Sequence, residues 1–95
     1  MDWYVYIVRC GDGSLYTGMT YDIERRIIEH NAGRGARYTR ARLPVDLIAA
    51  WRVDDKSAAL TMEAAIKRLG RTAKLRLVND EATLVGPVAG AERVA

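Results

Sequence analysis

From Trp3 to Cys10 the chain runs through aromatic and β-branched residues with only one charge, Arg9, a pattern that predicts a strand. Gly11-Asp12-Gly13 is a turn signal, and Ser14 to Met19 resume the strand pattern, so the two segments predict a β-hairpin. With a three-residue loop, Cys10 falls opposite Ser14, Val8 opposite Tyr16 and Tyr6 opposite Gly18; a two-residue loop sends Tyr6 and Tyr16 to opposite faces. Ile23, Ile27 and Ile28 then recur at helical spacing behind Asp22, a suitable N-cap, which predicts a helix ending near residues 30–32. Residues 33–44 carry no hydrophobic period and read as an arginine-studded loop closed by Pro44. Val45 to Val53 predict a third strand. Ser57 is placed to cap a second helix through Leu69, and Thr72 a third through about Val78. The order β-β-α-β-α-α predicts an α+β domain over residues 1–79, a small three-stranded antiparallel sheet with helices packed on it. Residues 80–95 are expected to form a loosely packed or frayed tail.

Length and composition narrow the classes. Ninety-five residues suit one domain, and 49% hydrophobic with 28% charged residues suits a water-soluble core rather than a membrane-embedded chain. No run approaches the ~20 apolar residues of a spanning helix. The N-terminus lacks the basic segment of a secretory signal, and a single cysteine, Cys10, excludes an intrachain disulfide, so a cytoplasmic protein is expected. The oligomeric state is left open.

Charge is more informative in its placement than in its net value of +3. Arg25, Arg26, Arg34, Arg37, Arg40 and Arg42 share the segment 25–42 with one acid, Glu29. Lys67, Arg68, Arg71, Lys74 and Arg76 form a second basic segment with no acid. Such clustering suggests a polyanion-facing surface, and equally describes a solvated basic face.

Three further features bear on chemistry. In the three-residue register Tyr6 and Tyr16 become diagonal neighbours on one face, with Gly18 leaving a notch. Arg26 and His30 stand one helical turn apart beside the core-facing isoleucines. Glu63 is the sole acid between Lys56 and Val78. It suits an i,i+4 pair with Lys67, or a Mg²⁺ site completed by waters and substrate oxygens.

Together these residues resemble the GIY-YIG nuclease superfamily. Tyr4-Val5-Tyr6 and Tyr16-Thr17-Gly18 match the two halves of its signature, with Tyr4 in place of the first glycine. Arg26, His30 and Glu63 then fall in register with the family's arginine, its histidine-or-tyrosine position and its metal-binding glutamate. The match runs from Tyr4 to about Lys74 and is nearest to the small, stand-alone bacterial branch. The family's downstream asparagine has Asn79 as its nearest candidate.

The resemblance implies a metal-dependent endonuclease acting on DNA, with structured or damaged DNA in repair or recombination as the setting and RNA left open. Tyr6, Tyr16, Arg26, His30 and Glu63 would be catalytic, and Glu63 would hold Mg²⁺ or Mn²⁺. Tyr6 would serve as general base, with Tyr16 orienting the water or substituting for Tyr6, and its pKa of about 10 would be lowered by Arg26 and the metal; His30 would hold the tyrosine's proton or position the water. Arg34, Arg37, Arg40, Arg42, Lys67 and Arg71 would contact the nucleic acid. The rival reading is a non-catalytic nucleic-acid-binding module using the same basic face.

Overall fold

The computed structural model describes residues 1–80 and 90–95. The strands are β1 (Trp3–Arg9), β2 (Leu15–Thr20), β3 (Asp46–Val53) and β4 (Glu92–Arg93). The helices are α1 (Ile23–Asn31), α2 (Arg37–Arg40), α3 (Lys56–Lys67) and α4 (Arg71–Val78). The strands form one antiparallel sheet in the order β2-β1-β3-β4.

Four strands stand where three are expected. The fourth arises at the end of the segment expected to fray, so a loose tail is corrected at its last residues. There Arg93 pairs with Trp51 and Glu92 with Arg52, which extends the sheet beyond β3. Arg93 also lies 5.2 Å over the Trp51 ring and donates a 2.9 Å hydrogen bond to the Val78 carbonyl. A two-residue strand carries too little alternation to be seen in a sequence, and it is held here by one arginine gripping the end of α4. The remainder of the expected tail, residues 81–89, lies outside the described residues.

β1 is an inner strand, paired with β2 and β3, and is covered on both faces, which is why Val5, Tyr6, Ile7 and Val8 are all buried. Val5 and Ile7 face a core shared with Ala49, Trp51, α3 (Ala59, Met62, Ile66) and Leu77 of α4. Tyr6 and Val8 face the opposite core, with Ala50, Val45, Tyr16 and the α1 residues Ile23 and Ile27. No helix among the described residues is long and apolar enough to cross a membrane.

The helix starts show how local competition is settled. Asp22 caps α1 as expected, its carboxylate accepting from the Arg25 amide at 3.1 Å. For α3 the cap is Asp55, which accepts from the Ala58 amide at 2.8 Å, rather than Ser57; the helix also stops at Lys67, short of Leu69. Asp55 comes first in the chain and its charge suits a helix N-terminus, so Ser57 is absorbed into the helix. In α4, Gly70 rather than Thr72 takes the capping position. The loop after α1 is pinned to the sheet by Asn31, which accepts from the Val45 amide at 2.8 Å and donates to the Val45 carbonyl at 3.1 Å. Within that loop Arg37–Arg40 form a single helical turn, an element with no counterpart in the sequence reading.

Candidate active site

The hairpin adopts the three-residue loop. Val8 pairs with Tyr16 and Tyr6 with Gly18, and the Cys10 amide donates to the Ser14 carbonyl at 2.8 Å. Tyr6 and Tyr16 therefore share a face, the one covered by α1. Gly18 is required by close approach. A Cβ there would lie 2.6 Å from Tyr6 Cζ and 3.1 Å from Tyr16 Cε2, so the Tyr6 ring passes across the bare backbone of β2.

α1 delivers His30 to the same place. The Tyr6 hydroxyl is 2.7 Å from His30 Nε2, and Thr39 Oγ1 is 2.8 Å from His30 Nδ1. Both tyrosine rings meet the imidazole edge-on, with centroids 5.8 and 5.6 Å from it. His30 is fully buried at 0% exposure, and Tyr6 nearly so at 1%. One helical turn before His30, Arg26 brings its positive charge beside Tyr6 and holds Glu29 at 3.6 Å.

Glu63 comes from α3. It is partly exposed, pairs with Lys67 at 3.6 Å, and its negative charge is felt at the Tyr6 phenol. Lys67 in turn sits 5.9 Å from the centre of the Tyr16 ring. Tyr6, Tyr16, Arg26 and His30 thus form one cluster, and Glu63 with Lys67 borders it.

The electrostatics correct one expectation. Burial pushes the Tyr6 phenol up to about 12, and the opposing pull of Arg26 does not overcome it. The protein's own groups do not bring it below 10. The Tyr6 oxygen is protonated at neutral pH and can act as a base only by passing that proton on. His30 moves the other way: burial holds it below its ordinary 6.5, and the Arg26 charge adds to the effect against a partial opposition from Glu29. At pH 7 the imidazole is neutral and able to accept.

Both shifts set a pH dependence of stability. His30 favours folding above pH 6.5; below it the unfolded chain takes up the proton first, and stability falls as pH drops towards the folded-state value. Tyr6 favours folding below pH 10; from 10 to about 12 the unfolded chain ionises first, and on the order of 2–3 kcal/mol is lost. Urea unfolding across pH 5 to 11 should show a loss on each side, and Tyr6→Phe should flatten the alkaline one. An alkaline loss unchanged by Tyr6→Phe would assign it to another group.

The cations expected at the nucleic acid divide in two. Arg34, Arg37 and Arg40 are exposed, the last two on α2. Arg42 is engaged by neighbouring residues at the surface: its Nε meets Asp12 at 3.1 Å, its Nη1 donates to the Tyr38 carbonyl at 2.8 Å, and its guanidinium stacks 3.9 Å over the Tyr38 ring. Arg71 donates to the Gly13 carbonyl at 2.9 Å, tying α4 to the hairpin loop. Asn79 lies exposed at the end of α4.

Three site residues escape a reading of the sequence. Tyr38 stacks on Tyr16, centroids 5.9 Å apart and rings 23° from parallel. Thr39 is buried against His30, and Gly35 lies so close to the imidazole that a Cβ would sit 2.7 Å from its Cγ. Their one sequence signal is a tyrosine, a threonine and a glycine within a stretch otherwise notable for arginine.

The signature tyrosines therefore converge with the arginine and histidine of the first helix. A family model described as the GIY-YIG catalytic domain matches residues 2–76. The chain belongs to the GIY-YIG family. Among its relatives is a UPF0213 protein of Natronomonas pharaonis, 55% identical over 80 residues that cover 84% of this chain and 94% of the relative. Another, from Staphylococcus saprophyticus, is 53% identical over 77 residues, covering 81% and 94%. The solution NMR structure of a UPF0213 protein from Bacillus halodurans superposes with a TM-score of 0.56 at 47% identity, covering 85% of this chain and 86% of that one. A GIY-YIG domain implies a nuclease-type function, and so nucleic-acid partners.

The donor set near the site suits a hard cation. Two carboxylates lie at the cluster, Glu63 at its border and Glu29 paired with Arg26, and among the described residues no group of three or more His, Cys, Asp or Glu side chains could hold a metal ion. Mg²⁺ and Mn²⁺ are commonly held by one or two carboxylates with waters and substrate phosphate, which fits Glu63.

Proposed function

We propose that the protein is a divalent-metal-dependent endonuclease that hydrolyses phosphodiester bonds in DNA, with structured or damaged DNA in repair or recombination as its setting. The observation that supports this most is the buried Tyr6–His30 hydrogen bond of 2.7 Å beside Arg26 and beneath Gly18. A tyrosine whose hydroxyl is bound to a neutral imidazole has a route for its proton, which a strand-packing tyrosine does not need.

In this reading an attacking water gives its proton to Tyr6 Oη as Tyr6 passes its own to His30 Nε2, leaving an imidazolium. The new P–O bond forms as the bond to the leaving 3′ oxygen breaks and its electron pair stays on that oxygen. Arg26, preorganised against Tyr6, stabilises the charge that develops on the phosphate. Tyr16 orients the water. A divalent cation held by Glu63 would supply charge neutralisation on the leaving-group side. Arg34, Arg37 and Arg40 would track the phosphate backbone, with Arg42, Lys67 and Arg71 at the edge of that surface, so affinity would fall with added salt.

The test is incubation with labelled branched, duplex and single-stranded DNA, and with RNA, in Mg²⁺ or Mn²⁺ and then in EDTA. Cleavage that requires the metal is expected on at least one DNA. Salt-sensitive binding without cleavage of any substrate would favour the binding module instead.

A further inference from the structure

Thr39 lies on the far side of His30 from Tyr6, and its own partners decide what the imidazole can do. We propose that Thr39 is a positioning residue that holds His30 in the Nδ1–H tautomer and so makes Nε2 the acceptor of the Tyr6 proton; this deepens, and rests on, the proton-relay reading above.

The assignment follows from counting hydrogens along the chain of contacts. Thr39 Oγ1 lies 2.9 Å from the Ala36 carbonyl and 2.8 Å from His30 Nδ1. A carbonyl only accepts, so for both contacts to be hydrogen bonds the single hydroxyl proton of Thr39 must point to Ala36. The Thr39 oxygen must then accept, and its donor is the proton on Nδ1. A neutral imidazole carries one ring proton, so Nε2 is bare and takes the Tyr6 O–H at 2.7 Å. The ring is fully buried, which favours the neutral form on which this count depends.

The backbone is shaped around this contact. At Gly35 a Cβ would lie 2.9 Å from His30 Cα and 2.7 Å from Cγ, so the main chain runs flush against the imidazole and the following turn, Arg37–Arg40, turns Thr39 inward. The same turn exposes Arg37 and Arg40. One element therefore carries two cations on its outer side and the tautomer-setting hydroxyl on its inner side. A nucleophile–base pair oriented by a third group is a recurring arrangement in hydrolytic sites, and a base in the wrong tautomer cannot accept the proton.

The chain has a single histidine, so nitrogen NMR of the isotope-labelled protein reads His30 without overlap. In the parent, Nδ1 should carry the proton and Nε2 should show the signature of a bare nitrogen. Thr39→Val keeps the branched shape and removes the acceptor; His30 should shift towards the Nε2–H tautomer, and metal-dependent cleavage should fall by about 10²-fold. Thr39→Ser should restore both, and Thr39→Ala serves if the valine variant does not fold. A parent histidine protonated at Nε2, or a variant that keeps the parent tautomer, would overturn the proposal. The NMR readout needs no substrate. A bare Nε2 in a protein that cleaves nothing would refute the nuclease reading and leave the tautomer assignment standing.

Discussion

Glu63→Gln is expected to lower metal-dependent cleavage by roughly 10²–10⁴-fold while leaving DNA affinity unchanged or slightly higher. The magnitude follows from the several kcal/mol of transition-state charge stabilisation that a bound cation supplies, at about 1.4 kcal/mol per tenfold in rate. Glutamine keeps the size of the side chain and removes the charge that would hold the cation. Folding should barely respond. Among the described residues the carboxylate's one ion pair is with Lys67, 3.6 Å away, the two side chains being 19% and 49% exposed, and such an i,i+4 pair contributes from a few tenths to about 1 kcal/mol. Raising the Mg²⁺ concentration should recover part of the activity if Glu63 acts through the metal. Tyr6→Phe makes the complementary case: it removes the hydroxyl that carries the proton, and added metal should not rescue it. Cleavage assays with a metal titration, run beside thermal unfolding, separate the outcomes. A Glu63→Gln protein that cleaves normally, or one that simply unfolds, would leave Glu63 as a structural partner of Lys67 and remove it from the reaction.

The parts of this site that could be read from the sequence are those set by short-range rules. Gly11-Asp12-Gly13 fixes the loop length, the loop length fixes the register, and the register alone places Tyr6 opposite Gly18 with Tyr16 on the same face. The helical spacing of Arg26 and His30 then carries both to that face. What escaped was set by burial depth and by elements too short to show a period. A strand covered on both sides reads as a continuous apolar run, so the pattern gives no measure of how fully Tyr6 is enclosed. Arg26 does pull the Tyr6 pKa down, but for a tyrosine with 1% exposure burial pushes it up by more. The four residues of α2 span about one turn and cannot display a 3.6-residue repeat, so Thr39 is hidden among arginines. The two residues of β4 are hidden for the same reason.

Gly18→Ala is expected to destabilise the fold by about 1–3 kcal/mol and to abolish most cleavage even at temperatures where the variant remains folded. The added methyl group would enter the space occupied by the Tyr6 ring, at 2.6 Å from Cζ, with Tyr16 Cε2 at 3.1 Å on its other side. Tyr6 has little room to yield. Its ring lies in the core between the sheet and α1, and its hydroxyl is held by His30. Accommodation therefore means turning the phenol away from Nε2 or spreading β2 from β1, and either one breaks the proton route before it unfolds the domain. The atoms that a methyl group at Gly18 would meet belong to Tyr6 and Tyr16 and not to the exposed Arg37 and Arg40, so DNA affinity should be close to that of the parent. Thermal unfolding measures the first effect, cleavage well below the transition the second, and the His30 nitrogen signals report directly whether Tyr6 still donates. A Gly18→Ala protein with parental stability, parental cleavage and an unchanged His30 spectrum would mean that Tyr6 does not cross the edge strand at this point, and the constellation built on it would have to be abandoned.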